Sequence, residues 1–150
     1  LKERRAARRL ALDVLYEAEI RGMTPIETFR ERQQMGWSVD NSDGPEIAPA
    51  EQPSDEALAY ARRLVAGVEE HLAEMDAVIS RCAEHWALER MPVIDRNLIR
   101  LALFELRWLD DVPVPVAINE AVELAKMLST DGSGRFVNGL LGRIAEEGKG

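Results

Sequence analysis

The sequence predicts an all-α fold of about seven helices, and three observations lead there. Apolar residues recur at the i, i+3, i+4 spacing of amphipathic helices in one segment after another. No stretch shows the two-residue alternation of a half-buried strand. Gly, Pro, Ser, Thr and Asp fall between the periodic segments, where caps and stops belong. At 150 residues, 46% hydrophobic and 31% charged, the chain fits one domain or two small lobes sharing a core. The lobes are expected at about 1–70 and 71–150.

The first helix is expected from about Arg4 to Ile20 or Arg21, with Ala7, Leu10, Ala11, Val14, Leu15 and Ala18 on its inner face. Arg5, Arg8, Arg9, Leu12 and Tyr16 share an arc of about 100° on another side. Gly22 suits a C-terminal cap, and Thr24-Pro25 an N-cap followed by proline at the first helical position. A second helix then reaches about Gln34, with Ile26, Phe29 and Met35 facing inward. Residues 36–52 lack any period and read as a long mobile loop, with Trp37 pinning it to the body. Ser54 opens a third helix, Asp55 to about Glu69, whose stripe is Leu58, Ala61, Leu64, Val65 and Val68. A fourth, His71 to Cys82, carries Leu72, Met75, Val78, Ile79 and Cys82 inward. Gly67 suits a close helix crossing, and Trp86, Leu88 and Met91 lie in a short link.

The helix from Val93 to Leu109 is apolar over most of its girth, as a central helix must be. Arg96, Arg100 and Arg107 share one stripe opposite Leu98, Leu101, Ala102, Leu106 and Leu109. Pro92 suits its first turn, and Asp110 to Pro113 ends it. Asp95 and Glu105 break the apolar arc, so they are either buried with partners or turned toward another molecule. A sixth helix follows from Val116 to Leu128, and a seventh from Gly134 to about Glu146, with Ser133 as its expected cap. Gly139 and Gly142 each cost about 1 kcal/mol relative to Ala inside a helix. They imply close packing or a close partner.

The net charge is −8, yet residues 1–9 carry +4 and the remainder −12. Cations at a helix N-terminus oppose the macrodipole, so the opening cluster is poor local electrostatics. It suits an anionic partner instead, because each phosphate neutralised releases counterions and adds salt-sensitive affinity. Tyr16 reads either as a core aromatic or as an interface contact, and its place on the charged side favours the interface. The one cysteine, Cys82, excludes intrachain disulfides and fits a reducing cytoplasm. No stretch has the roughly 20 apolar residues of a membrane span, and no signal-peptide pattern is present.

Signatures of catalysis are missing. His71 and His85 are 14 positions apart, with no zinc spacing around Cys82, and no phosphate-binding glycine loop or nucleophile elbow occurs. Asp95 and Glu105 lie about 15 Å apart along one helix, too far to share a proton. A protein without catalytic activity, metal or cofactor is expected.

Together, the arginine-rich first helix ending Val14-Leu15-Tyr16, the central run Asp95 to Leu106, the run Val112 to Lys126 and Arg135-Phe136-Val137-Asn138-Gly139-Leu140-Leu141 resemble the NusB family of bacterial transcription antitermination factors. The resemblance covers essentially the whole chain outside 36–52. It implies two small helical bundles packed side by side, and binding of the boxA element of ribosomal RNA leader transcripts together with NusE, a small-subunit ribosomal protein. The assembly would join RNA polymerase and other Nus factors in an elongation complex, in the bacterial cytoplasm. Family RNA contacts fall on Lys2, Arg4, Arg5, Arg8 and Arg9, with Arg135 and Phe136; Phe136 would stack on an unpaired base. Asn138 could read a base edge or tie down the preceding loop. The NusE-facing positions match Tyr16 and Asp95. Some relatives self-associate through the basic face, so a homodimer is among the implied partners. Two positions depart from the family pattern: Gly132 replaces one of two turn acids, and Cys82 replaces a tyrosine that contacts RNA in some relatives. The alternative is an accessory RNA-binding domain of an RNA methyltransferase whose catalytic domain is absent from this chain.

Overall fold

The computed structural model describes residues 2–37, 52–84 and 86–147, and among these it contains seven α-helices and no strand. The proposed mobile loop falls largely on residues 38–51, and one of the two histidines is His85; both lie outside the described residues. The helices are α1 (Lys2–Arg21), α2 (Pro25–Met35), α3 (Asp55–Glu70), α4 (Leu72–Cys82), α5 (Val93–Trp108), α6 (Val114–Leu128) and α7 (Ser133–Glu146). A short 3-10 turn, Leu88–Arg90, precedes α5.

Local chemistry sets the boundaries. Gly22 takes φ 69°, and the next amide, Met23, donates to Ala18 O at 2.9 Å, closing α1 with a left-handed glycine. Thr24 Oγ1 accepts from the Glu27 amide at 3.2 Å, and Ser54 Oγ from the Ala57 amide at 3.1 Å, so α2 and α3 start on side-chain caps. Trp37 tilts against Phe29 with ring centroids 5.2 Å apart, pinning the end of this segment to the core.

Helices α1, α2 and α3 pack on one another, as do α4, α5, α6 and α7, and α5 also lies against α1 and α3. This explains why α5 is apolar nearly all round. Leu98, Ile99, Leu101, Ala102, Leu103, Phe104 and Leu106 are all buried. Its arginine stripe ties neighbouring helices together. Arg96 pairs with Glu19 of α1, Arg100 with Asp76 of α4 at 2.9 Å, and Arg107 with Glu147 after α7 at 3.3 Å.

Two inward expectations and one expected cap are corrected. Met35 is 77% exposed because it sits at the outer end of α2, beyond the reach of the α1–α3 core. Leu72 is also exposed, at the start of α4. Ser133 is the buried first residue of α7 rather than its cap; Gly132, at φ 89°, holds the cap position.

Gly67 is where α3 and α5 meet most closely: a Cβ there would lie 2.2 Å from the Phe104 ring. That ring belongs to a stack with His71 and Trp108, so it has little freedom to retreat. Gly67→Ala gains about 1 kcal/mol of helix propensity and meets an overpacking penalty of about 1–3 kcal/mol. We expect a net loss of stability in urea unfolding, recovered when Phe104→Leu makes room.

Candidate nucleic-acid interface

The basic end of α1 is built on a buried ion pair. Arg8 is 6% exposed, and its guanidinium grips both oxygens of Glu105 on α5, with Nη2 at 2.8 Å. Tyr60 of α3 donates its hydroxyl to the same carboxylate. Burial works against the Arg8 charge, but Glu105 outweighs it and the guanidinium is held above its ordinary range. Burial, reinforced by Glu105, pushes the Tyr60 phenol far above its usual range, so it remains a donor. Three helices therefore meet on one carboxylate.

Arg8 is therefore largely committed to Glu105 and is the least exposed of the cations expected to meet RNA. The other cations of α1 stay outside. Arg4 pairs with Asp111 and lies 4.7 Å over the Tyr60 ring. Arg5 forks onto Glu120 of α6 at 3.0–3.3 Å while its side chain keeps 73% exposure. Arg9 lies 3.5 Å from Asp13 and reaches Met127 Sδ of α6 at 3.9 Å. Lys2 is exposed.

The start of α7 is fixed by the second anomalous carboxylate. Asp95, 1% exposed, accepts from Ser129 Oγ and from Ser133 Oγ, the latter at 2.9 Å. Ser133 Oγ also lies 3.0 Å from Ser129 Oγ and 2.9 Å from Thr130 Oγ1, so the α6–α7 turn closes over the carboxylate. Asp95, expected at the NusE-facing surface, is thus covered by the α6–α7 turn in the chain by itself. Its oxygens are spent on the turn. Tyr16 remains outside at 43% exposure, one helical turn from Ile20 at 62%.

Beyond the turn, Arg135 and Asn138 are exposed. Phe136 is half-buried against the core, with its ring at an edge angle to Trp86, centroids 4.6 Å apart. Asn138 opens instead onto a cleft of about 580 Å³ with Ile118, Asn119, Glu120 and Val122. Among the described residues nothing within 4 Å would meet a Cβ at Gly139 or Gly142, so packing among them does not require either glycine. The two basic regions are linked across α6. Arg9 touches Met127, the adjacent Lys126 lies against Gly134, and Arg135 follows.

A family model described as the NusB family matches residues 5–146. The chain belongs to the NusB family. It is 48% identical over 143 residues to a transcription antitermination protein NusB of Salinispora tropica, covering 95% of each chain. Against the corresponding protein of Kineococcus radiotolerans it is 44% identical, covering 95% of this chain and 93% of the relative. Among solved structures, T. maritima NusB matches with TM-score 0.80 and 36% identity over 98% of this chain and 93% of that one. A structure of antitermination factors NusB and NusE in complex with dsRNA matches with TM-score 0.77 and 27% identity over 99% of both chains.

In this NusB-family chain several partners escape sequence reading. Tyr60, Glu120, Ser129 and Trp86 complete contacts of Arg8, Arg5, Asp95 and Phe136. Tyr60 had a signal, since it lies three residues after Ala57 and four before Leu64 on the buried stripe. The others are joined only by tertiary packing. Among the described residues no group of His, Cys, Asp or Glu could hold a metal ion, and no helix is long and apolar enough to cross a membrane.

Replacing Arg8 by Ala strands the Glu105 charge in the interior. Breaking a buried pair in this way costs about 3–5 kcal/mol. Chemical unfolding of Arg8→Ala should show that loss, while Arg5→Ala leaves the midpoint nearly unchanged.

Proposed function

We propose that this chain is a non-catalytic RNA-binding transcription antitermination factor, acting in the bacterial cytoplasm. In this reading it binds boxA RNA of ribosomal RNA leader transcripts together with NusE, and helps RNA polymerase resist termination within a complex of Nus factors. The observation that carries it is the run of accessible cations from Arg5 and Arg9, past Lys126, to Arg135. In a chain of net charge −8, such a run favours a polyanion over a neutral or acidic partner.

The roles divide by exposure. Lys2, Arg5, Arg9 and Arg135 position the phosphates, and Arg4 supports the edge of the surface from its pair with Asp111. Arg5 meets Glu120 from outside, its own side chain 73% exposed against 13% for the carboxylate, so the guanidinium stays open to a phosphate. Phe136 contributes apolar ring surface, and Asn138 offers an amide to a base edge from the neighbouring cleft. Tyr16 and Ile20 form an uncovered apolar strip on α1 that suits NusE or a second copy of the chain. Asp95 supports the RNA surface from beneath by holding the start of α7. The two bundles then act as one unit.

The reading of an accessory methyltransferase domain finds less support. The Salinispora tropica and Salinispora arenicola relatives are each matched over 95% of their own length, which leaves them no room for an attached catalytic domain.

Titration with a boxA RNA at several salt concentrations tests the proposal. Each phosphate contact on single-stranded RNA contributes about −0.7 to the slope of log affinity against log salt. Arg5→Ala combined with Arg9→Ala should weaken binding and flatten that slope by about 1.4. An unchanged slope in a folded double variant would place the phosphate site elsewhere.

A further inference from the structure

Met127, in the last turn of α6, is 69% exposed, while Leu124 and Ala125 supply the buried side of that turn. Of the five methionines, Met75 and Met91 are buried in the core and Met23 is half-buried. Met35 is also exposed, at the end of α2, whereas Met127 meets a phosphate-positioning cation. Arg9 Nη1 lies 3.9 Å from the Met127 sulfur, and Nε of the same guanidinium lies 3.5 Å from Asp13. Two helices set this up in register. Arg5 and Arg9, one turn apart on α1, reach across to Glu120 and Met127, two turns apart on α6. A charged acceptor therefore stands opposite Arg5, and a weak, uncharged one opposite Arg9. That weakness leaves the Arg9 guanidinium, on a side chain 46% exposed, at liberty to meet phosphate.

We propose that Met127 is an oxidation site through which peroxide turns down RNA binding, because its sulfoxide captures the Arg9 guanidinium. This regulation rests on the RNA-binding reading and deepens it. The reaction is a two-electron oxygen transfer from hydrogen peroxide. A sulfur lone pair attacks one peroxide oxygen, and the S–O bond forms as the O–O bond breaks. The proton on the transferred oxygen passes to the departing one, which leaves as water. Sulfur is oxidised, peroxide is reduced, and no other reactant is needed. The product is a polar group in place of an apolar thioether, and its oxygen is a far better hydrogen-bond acceptor than sulfur. That oxygen projects one bond beyond the sulfur, so the 3.9 Å gap closes to ordinary hydrogen-bond distance and Nη1 donates to it. The outcome differs from the pairing of Arg5. Arg5 gives Glu120 its Nε and Nη2 edge and leaves Nη1 out of that pair. Oxidised Met127 takes the Nη1 edge of Arg9 while Asp13 holds Nε, so a phosphate loses its donor. Reduction of the sulfoxide by methionine sulfoxide reductases returns the guanidinium to RNA.

The test treats purified full-length protein with hydrogen peroxide and follows each methionine by peptide mass spectrometry. Met127 should gain one oxygen well before the buried Met75 and Met91. Oxidised protein should bind a single-stranded boxA RNA about 2- to 10-fold more weakly, the equivalent of one net hydrogen bond. The slope of log affinity against log salt should flatten by about 0.7, with helix content unchanged. Methionine sulfoxide reductase should restore both. Met127→Leu retains Cys82 and the other methionines, and peroxide should leave its RNA affinity where it was. In Arg9→Ala, peroxide should likewise cause no further loss. Oxidation of Met127 no faster than Met75, or oxidised Met127 with undiminished affinity, overturns the switch. So does a peroxide effect that survives in Met127→Leu or in Arg9→Ala; in each case the RNA-binding reading stands. Failure of untreated wild type to bind the RNA overturns both.

Discussion

Two buried carboxylates on α5 hold the structure in its working form. Glu105 receives Arg8 and Tyr60 and so fastens α1 and α3 to the central helix. Asp95 receives Ser129 and Ser133 and so fastens the α6–α7 turn. Leaving either charge unpaired inside a protein is costly, which makes the geometry around each highly constrained. Among the described residues no buried side-chain polar atom lacks a hydrogen-bond partner, consistent with fully satisfied clamps. The consequence is functional. The helix that bears Arg5 and Arg9 and the helix that bears Arg135 and Phe136 are both referenced to α5, so the spacing between their cations is set by the core.

Electrostatics explains how an acidic chain keeps a basic surface. Arg4, Arg5 and Arg9 each lie near an acid, yet each keeps a third or more of its own side chain exposed. Such pairs orient a guanidinium while adding little stability of their own. Arg8 differs only in depth, and depth changes its role from attraction of a partner to attachment of a helix. The arginines of α5 serve attachment as well, joining α1, α4 and the end of α7 to the middle of the molecule.

Much of this was legible in the sequence because helix periodicity and capping are local. The Thr24 and Ser54 caps and the glycine turn at Gly22 all follow from residues within a few positions of one another. The abnormal placement of Asp95 and Glu105 was also visible, because a carboxylate inside an apolar arc demands an explanation. Their partners were not visible. Arg8 and Glu105 are 97 positions apart, and Asp95 and Ser133 are 38 apart, so only tertiary packing joins them. The depth of Arg8 has a physical origin. Its arc also holds Leu12, one turn later and 2% exposed, and that leucine marks the side of α1 that turns inward. Asp95 was assigned outward by resemblance, whereas local serines consume its oxygens.

Amide hydrogen exchange on two variants tests the clamp account most directly. Hydrogen bonds to a charged group are worth about 1.5–3 kcal/mol, which corresponds to about 10- to 100-fold in local opening. Asp95→Ala should accelerate exchange by that factor around the first turn of α7 and leave α1 at its wild-type rate. Glu105→Gln should do the reverse, loosening α1 and sparing α7. Equal acceleration in both helices for either variant would mean that the carboxylates support only global stability, and the separate anchoring of the two basic helices would be wrong.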